Sequence, residues 1–293
     1  MKNSIPPALV PAYQECLKIA TRHYENFPVA SLLLSKGSRL HIAALYAFAR
    51  TADDFADEDS YEGRRVQELN RWEKSLKAAL GGKPAPPALR AFAHTLQTFQ
   101  IPAHLPLNLL RAFRMDIVQH RWSTWNSLLY YCRHSANPVG RMVLYISGIR
   151  DEKLHRLSDF ICGGLQLINF WQDTSVDLDR GRIYYPKSEW KKTKIREKDL
   201  LAGKDTSATR QLVRNAVDFT ERYFQQGLPL LEKVPGRLRL ELRATYHGGM
   251  GILKKIRMMD YNVLENRPQL GNLDKLLIFF TAIAPKWAQG GDR

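Results

Sequence analysis

Cysteine is scarce in this sequence. Cys16, Cys132 and Cys162 stand far apart and form no C-x-x-C pair. That spacing excludes a disulfide framework and a structural zinc site and predicts a reduced, cytoplasmic setting. Long apolar runs are missing too: nothing reaches the ~18 residues that a transmembrane helix needs, and 276–284 comes nearest. The opening Met-Lys-Asn-Ser-Ile-Pro-Pro lacks the apolar segment of a signal peptide, so none is expected. Strand-like alternation is weak throughout. Acidic residues are outnumbered, 29 against 44 Lys and Arg, a formal net charge of +15. The excess predicts a basic surface drawn to anions, whether phosphates, nucleic acid or acidic lipid. Yet no run of five like charges occurs, and the small basic clusters at 190–198 and 254–257 do not make a nucleic-acid arm. No nucleic-acid partner is expected.

Helical periodicity, punctuated by Gly and Pro, fills the chain. It predicts helices over 10–24, 38–57 with Ser38 as N-cap, 61–80, 88–99, 105–120, 124–136, 138–148, 154–178, 207–232, 236–260 and 272–288. Between them, 180–206 reads as a long, basic, proline-containing loop with short turns. The 293 residues suffice for one large core or two modest domains. With no linker or repeat, the expectation is all-α: a single-domain helical bundle spanning 1–293.

Two of these helices carry polar stripes. Gln166, Asn169, Asp173 and Asp177 are spaced three, four and four, which aligns them on one helical face of an otherwise apolar segment. Tyr46, Arg50, Asp53 and Asp57 repeat the design at offsets of zero, four, seven and eleven, flanked by Ala43, Ala44, Ala47, Ala49, Ala52 and Ala56. Asp54 lies off that stripe. A lone Asp-Asp-x-x-Asp equally describes a solvated helix face; two matching stripes set in apolar residues point to a cation. Four aspartates facing each other across a cavity would be unfavourable without divalent ions. All-oxygen ligands favour Mg²⁺ or Mn²⁺ over zinc or copper, and Mg²⁺ so held commonly binds substrate phosphates as well. Arg50, Arg180, Arg182 and Lys187 supply positive charge nearby in sequence. The predicted chemistry is a diphosphate clamped by metal ions at the rim of a central apolar cavity. A di-iron carboxylate bundle would need Glu-x-x-His pairs, which these helices lack.

Asp53-Asp-Phe-Ala-Asp57 and Asn169-Phe-Trp-Gln-Asp-Thr-Ser-Val-Asp177 resemble the two aspartate motifs of squalene and phytoene synthases. Tyr46-Ala-Phe-Ala-Arg50, Tyr131-Cys132, Val139-Gly140, Gly181-Arg182-Ile-Tyr184-Tyr-Pro186 and the stretch from Ile252-Leu253 to Asp260-Tyr261 extend the likeness over residues 15–265. The resemblance implies an all-α isoprenoid synthase. Asp53, Asp57, Asp173, Asp177 and Asn169, with Asp54 as a weaker candidate, would hold about three Mg²⁺ on a prenyl diphosphate. Arg50, Arg182 and Tyr184 would contact diphosphate oxygens, with Gln166 and Gln172 also counted to the substrate site. Phe27, Tyr46, Tyr131 and Tyr261 would line the cavity near a developing carbocation, which aromatic faces stabilise without attacking it.

The chain departs from the family where most members carry a Ser-x-Ser-Phe-like stretch and here Tyr24-Glu-Asn-Phe-Pro-Val-Ala-Ser31 stands. It departs again at Gln172, where an arginine is usual, and at Ser135-Ala-Asn-Pro138, in place of the usual Ala-Gly-Thr/Ser pattern. With these features it looks most like the hydroxysqualene synthase branch of bacterial hopanoid clusters. That branch implies conversion of presqualene diphosphate to hydroxysqualene with Mg²⁺ and without NADPH, although squalene synthases also lack a Gly-rich dinucleotide motif. Asn26 and Gln172 are candidates to position the attacking water. Implied pathway partners are a presqualene diphosphate synthase and a flavin-dependent hydroxysqualene dehydroxylase. The same-family alternatives condense two prenyl diphosphates, such as farnesyl diphosphate, head to head. A catalytically silent binding factor would be expected to lose the aspartates, and all four are present. Long hydrocarbon substrates, the basic surface and Leu276-Leu-Ile-Phe-Phe280 suggest peripheral membrane contact.

Overall fold

Proline and glycine set the helix boundaries. A 3₁₀ turn at Pro7–Leu9 leads into α1 (Val10–Arg22). There follow α2 (Lys36–Asp57), α3 (Arg65–Leu80), α4 (Pro87–Thr98), α5 (His104–Val118), α6 (Trp125–Ser135), α7 (Asn137–Ile146) and α8 (Glu152–Gln172). The rest are α9 (Thr174–Asp179), α10 (Lys187–Lys192), α11 (Glu197–Leu201), α12 (Ser207–Gln225), α13 (Leu230–Lys233), α14 (Gly236–Met258) and α15 (Asn272–Ile283). The computed structural model describes residues 5–22 and 36–283. Pro87 and Pro138 sit in first turns, where a missing N–H costs no helical bond. Gly82, at φ 72°, turns the chain after α3 so that the Lys83 N–H returns to the Ala78 carbonyl at 2.9 Å. Thr206 and Thr209 cap the start of α12 reciprocally.

The all-α expectation holds: among the described residues no strand forms, only one isolated bridge between Arg121 and Ile183. No described helix is long and apolar enough to cross a membrane. The chain divides into two compact units, Met1–Val118 with His134–His155, and Gln119–Arg133 with Arg156–Arg293.

In the first unit α2 is central, packed by α1, α3, α4, α5 and α7. Ala43, Ala44, Ala47 and Ala52 are buried, and their small side chains let these neighbours approach closely. Phe48 stacks on Phe92 with ring centroids 4.4 Å apart, and Trp72 Nε1 donates to the Phe48 carbonyl at 3.3 Å. Each such buried aromatic contributes about 1.5–3 kcal/mol. α1 is fastened by a polar cluster: the Tyr13 hydroxyl lies 3.0 Å from His41 Nδ1, 2.8 Å from His94 Nδ1 and 2.8 Å from Thr95 Oγ1.

In the second unit glycines bring helices together. A Cβ on Gly164 of α8 would collide with Phe224 Cδ2 of α12, and one on Gly249 of α14 would lie 3.0 Å from Ile168 Cδ1. Phe224 stacks on Tyr246 at 4.5 Å. Trp171 is buried, donates to Thr220 Oγ1 at 2.8 Å and stacks on Tyr185 at 4.6 Å.

Several predicted boundaries move. Lys36 is already helical in α2, so Ser38 lies inside the helix rather than capping it. Residues Asp59–Tyr61 form a 3₁₀ turn and α3 begins only at Arg65. The 180–206 stretch contains α10 and α11, anchored by buried Trp190 and Leu200. The predicted 207–232 helix is interrupted after Gln225, where Gly227 packs against Ile161 with no room for a side chain. The predicted 154–178 helix breaks at Asp173 (φ −98°, ψ 14°). There Thr174 Oγ1 donates to the Phe170 and Trp171 carbonyls, both at 3.0 Å, competing with the backbone ladder.

Candidate functional site

The first acidic motif lies on the last two turns of α2. Arg50 reaches both of the following aspartates: Nη1 is 3.4 Å from Asp53 Oδ2 and Nη2 is 2.7 Å from Asp54 Oδ1. Asp54, with a side chain 26% exposed, holds the closer contact; Asp53 is 48% exposed. The off-stripe aspartate is thus the main tether of Arg50, and the stripe aspartate is the more open. Tyr46 and Asp57 are half-buried on the same helix. Burial pushes the Tyr46 phenol up; Arg50 opposes this, while Asp53 and Asp54 reinforce it, so the phenol keeps its proton at neutral pH.

The second motif survives the helix break. The Asp173 N–H donates to the Asn169 carbonyl at 2.8 Å and the Asp177 N–H to the Asp173 carbonyl at 2.9 Å. These i to i−4 links hold Asn169, Asp173 and Asp177 one turn apart in succession. Gln166 is half-buried and Asn169 exposed. Gln172 Nε2 donates to the Pro268 carbonyl at 2.9 Å, so its amide nitrogen is committed to the protein.

The following loop folds back on the motif. Gly181 adopts φ 68°, and the N–H groups of Arg180 and Arg182 both donate to the Asp177 carbonyl, at 3.2 and 2.8 Å. Residues 120–123 pair with 183–188: the Ile183, Lys187 and Ser188 N–H groups donate to the carbonyls of His120, Trp122 and Ser123. Arg121 clamps the turn, donating to the Gly181 carbonyl at 2.5 Å and to Glu197 at 2.7 Å. Tyr184 is thereby laid flat on Phe170, and buried Tyr131 stands between Phe170 and Trp122, at 6.1 and 5.0 Å. The structure so brings Tyr131 and Tyr184 together through Phe170, which in sequence falls between the stripe positions.

Tyr261 occupies an unusual turn. It and Asp260 both adopt left-handed backbone, at φ 62° and 48°, which is uncommon for non-glycine residues. An ion pair from Arg210 to Asp260 and a bond from the Tyr261 N–H to the Ile256 carbonyl at 2.9 Å hold it. The Arg214 guanidinium lies 4.7 Å from the Tyr261 ring centre, so one cation already stacks on this ring. Phe27 and the whole 24–31 stretch lie outside the described residues, as do the side chains of Leu276, Phe279 and Phe280.

Arg267 joins the site without any local sequence signal. Its Nε donates to Asp173 Oδ1 at 2.5 Å, across 94 residues of sequence. Arg121 is equally invisible in the sequence; no spacing rule links it to Gly181. Neither arginine belongs to a local pattern, and only the folded chain places them.

The named donors are carboxylate and amide oxygens, the chemistry of a hard divalent cation. Among the described residues no three His, Cys, Asp or Glu side chains gather into one cage. Such a set fits Mg²⁺ that keeps water and phosphate oxygens in its shell, and it does not fit a closed structural zinc site.

Known proteins give this geometry a family. The model of squalene/phytoene synthase matches residues 20–274. A hydroxysqualene synthase of Sinorhizobium fredii is 33% identical over 273 residues, covering 92% of this chain and 91% of that protein. One from Rhodopseudomonas palustris is 31% identical over 267 residues, covering 90% and 89%. The crystal structure of squalene synthase HpnC from Alicyclobacillus acidocaldarius superposes with a TM-score of 0.84 at 38% identity, covering 89% of this chain and 98% of that one. This chain belongs to the squalene/phytoene synthase family.

Proposed function

We propose that this protein converts presqualene diphosphate to hydroxysqualene in a Mg²⁺-dependent reaction, and that residues 1–293 form a single isoprenoid synthase domain. The observation that carries the diphosphate chemistry is the pair of acidic motifs, each ion-paired to an arginine of its own unit. The likeness to two hydroxysqualene synthases supports the finer choice of water as the final reactant.

Asp53, Asp57, Asn169, Asp173 and Asp177 would hold Mg²⁺, with Asp54 serving mainly to orient Arg50. Bound Mg²⁺ supplies electrostatic stabilisation to the departing diphosphate. Arg50 and Arg182 bind diphosphate oxygens through directed N–H donors. Gln166 and Tyr184 border the same ligand. In the reaction the carbon–oxygen bond to diphosphate breaks, and the electron pair leaves with the diphosphate. The cyclopropylcarbinyl cation rearranges and opens to an allylic cation, and water adds its oxygen and loses a proton. Tyr131 would present an aromatic face that stabilises positive charge without supplying a nucleophile. The protonated Tyr46 phenol donates a hydrogen bond rather than abstracting a proton.

A presqualene diphosphate synthase would supply the substrate, and a flavin-dependent dehydroxylase would consume the alcohol. Leu273 and Leu277, one turn apart on α15 and 78% and 65% exposed, support a peripheral membrane contact that would deliver the hydrocarbon.

The decisive assay supplies presqualene diphosphate and Mg²⁺ without NADPH and identifies products by mass. Hydroxysqualene is expected, and farnesyl diphosphate given alone should remain intact. Absence of the alcohol overturns the proposal, and consumption of farnesyl diphosphate identifies a condensing enzyme instead.

A further inference from the structure

The connection between α14 and α15 meets the second acidic motif at two adjacent points. Arg267 donates to Asp173, and Gln172 donates to the carbonyl of Pro268. Consecutive residues on one side hold consecutive residues on the other. Pro268 fixes its own φ and restricts Arg267 to extended backbone. The backbone at Arg267 is therefore pre-set, and its guanidinium is the part able to move. The side chain is 42% exposed. A guanidinium has five N–H donors, and the Asp173 contact engages Nε.

Asp53 and Asp173 obtain their cations differently. On α2, Arg50 serves Asp53 and Asp54 from within the helix. Around Asp173 no Lys or Arg lies within four residues in either direction, so a counterion on the same helical face has to come from elsewhere in the chain. Arg267 is that cation. A divalent metal and Arg267 compete for the same carboxylate, whereas a diphosphate and Asp173 compete for the same guanidinium.

We propose that Arg267 is an exchangeable counterion of the second acidic motif: it yields Asp173 to a divalent cation and transfers its guanidinium to the diphosphate, while Gln172 positions it through Pro268. This rests on the diphosphate chemistry proposed above but not on the identity of the prenyl chain. Arg267 is thus a substrate-binding residue and Gln172 a positioning residue.

Binding measurements on the full chain test it without turnover. Mn²⁺ alone should bind Arg267→Gln several-fold more tightly than wild type, because a competing cation is gone. Inorganic pyrophosphate at saturating Mg²⁺ should bind the variant about tenfold more weakly, because a charge-assisted contact is lost. Gln172→Ala should weaken pyrophosphate binding as well, and the double variant should be no weaker than Arg267→Gln, since both changes remove one arrangement. If Arg267→Gln does not fold, Arg267→Lys carries the test, with weaker pyrophosphate binding expected because the planar fork is lost. Unchanged pyrophosphate affinity in a folded variant, unchanged Mn²⁺ affinity in Arg267→Gln, or additive losses in the double variant overturn the proposal. If wild type itself takes up no pyrophosphate with Mg²⁺, the diphosphate reading falls together with it.

Discussion

The ring of Tyr184 lies on the ring of Phe170 with centroids 3.7 Å apart and planes 7° apart. One residue belongs to the second acidic motif and the other to the loop that follows, so the stack ties loop to helix. Tyr184→Phe preserves both faces and should lower Tm less than Tyr184→Ala does. Tyr184→Ala removes them and should cost about 1–2 kcal/mol, seen as a Tm lower by roughly 2–5 °C. If the hydroxyl also contacts diphosphate, Tyr184→Phe raises KM beyond any effect on Tm. Equal thermal losses in both variants would contradict the stacking role.

Asp53 and Asp54 should separate by function. Asp54 is the closer partner of Arg50 and Asp53 the more open side chain. Asp53→Asn is expected to lower kcat by about 100-fold or more and to raise the Mg²⁺ needed for half-maximal rate. Asp54→Asn should chiefly raise KM by freeing Arg50, with the Mg²⁺ requirement preserved. Initial rates across a Mg²⁺ series distinguish the two.

Acid should loosen the first unit through the buried His41. His41 faces Tyr13 on α1, His94 and Thr95 on α4, and Phe99. Tyr13 in turn neighbours the Cys16 thiol on its own helix. Burial, aided by His94, lowers the His41 pKa from 6.5 to about 4. Burial also lowers that of His94. Between those pH values the unfolded chain takes up a proton that the folded chain refuses. Stability from this source is therefore complete above pH 6.5 and falls as the pH drops toward 4. Urea midpoints at about pH 7 and about pH 5 should differ in wild type, and the difference should shrink in His41→Asn. An unchanged difference would remove His41 from the account.

Two helical glycines give opposite expectations. Gly164 has Phe224 where its Cβ would go, so Gly164→Ala forces α8 and α12 apart and should cost about 1–3 kcal/mol. Because Gly164 lies two residues before Gln166, the shift should also reduce activity. Gly248 on α14 has open space, with nothing within 4 Å of where an added methyl would sit, and Gly248→Ala should stabilise by up to about 1 kcal/mol. Thermal melts of the two variants should move in opposite directions.

The helices, both acidic motifs and the family were legible in the sequence because each depends on short spacing. A period of 3.6 residues is local: it places Asp53 beside Arg50, and Asp177 one turn from Asp173, whatever the rest of the chain does. Helix ends were less legible where side chains compete with the backbone, as Thr174 does at the Asp173 break. The distant partners of the second motif and its loop were not legible at all. Arg121 reaches Gly181 across 60 residues and Arg267 reaches Asp173 across 94. Gln172, distinctive in the sequence for the residue it replaces, acquires a physical partner only when Pro268 arrives beside it. Local spacing determined which side chains share a helical face. Tertiary packing decided which arginine neutralises which carboxylate, because a distant guanidinium is brought within bonding reach only when burial of the apolar faces has fixed the path of the chain between them.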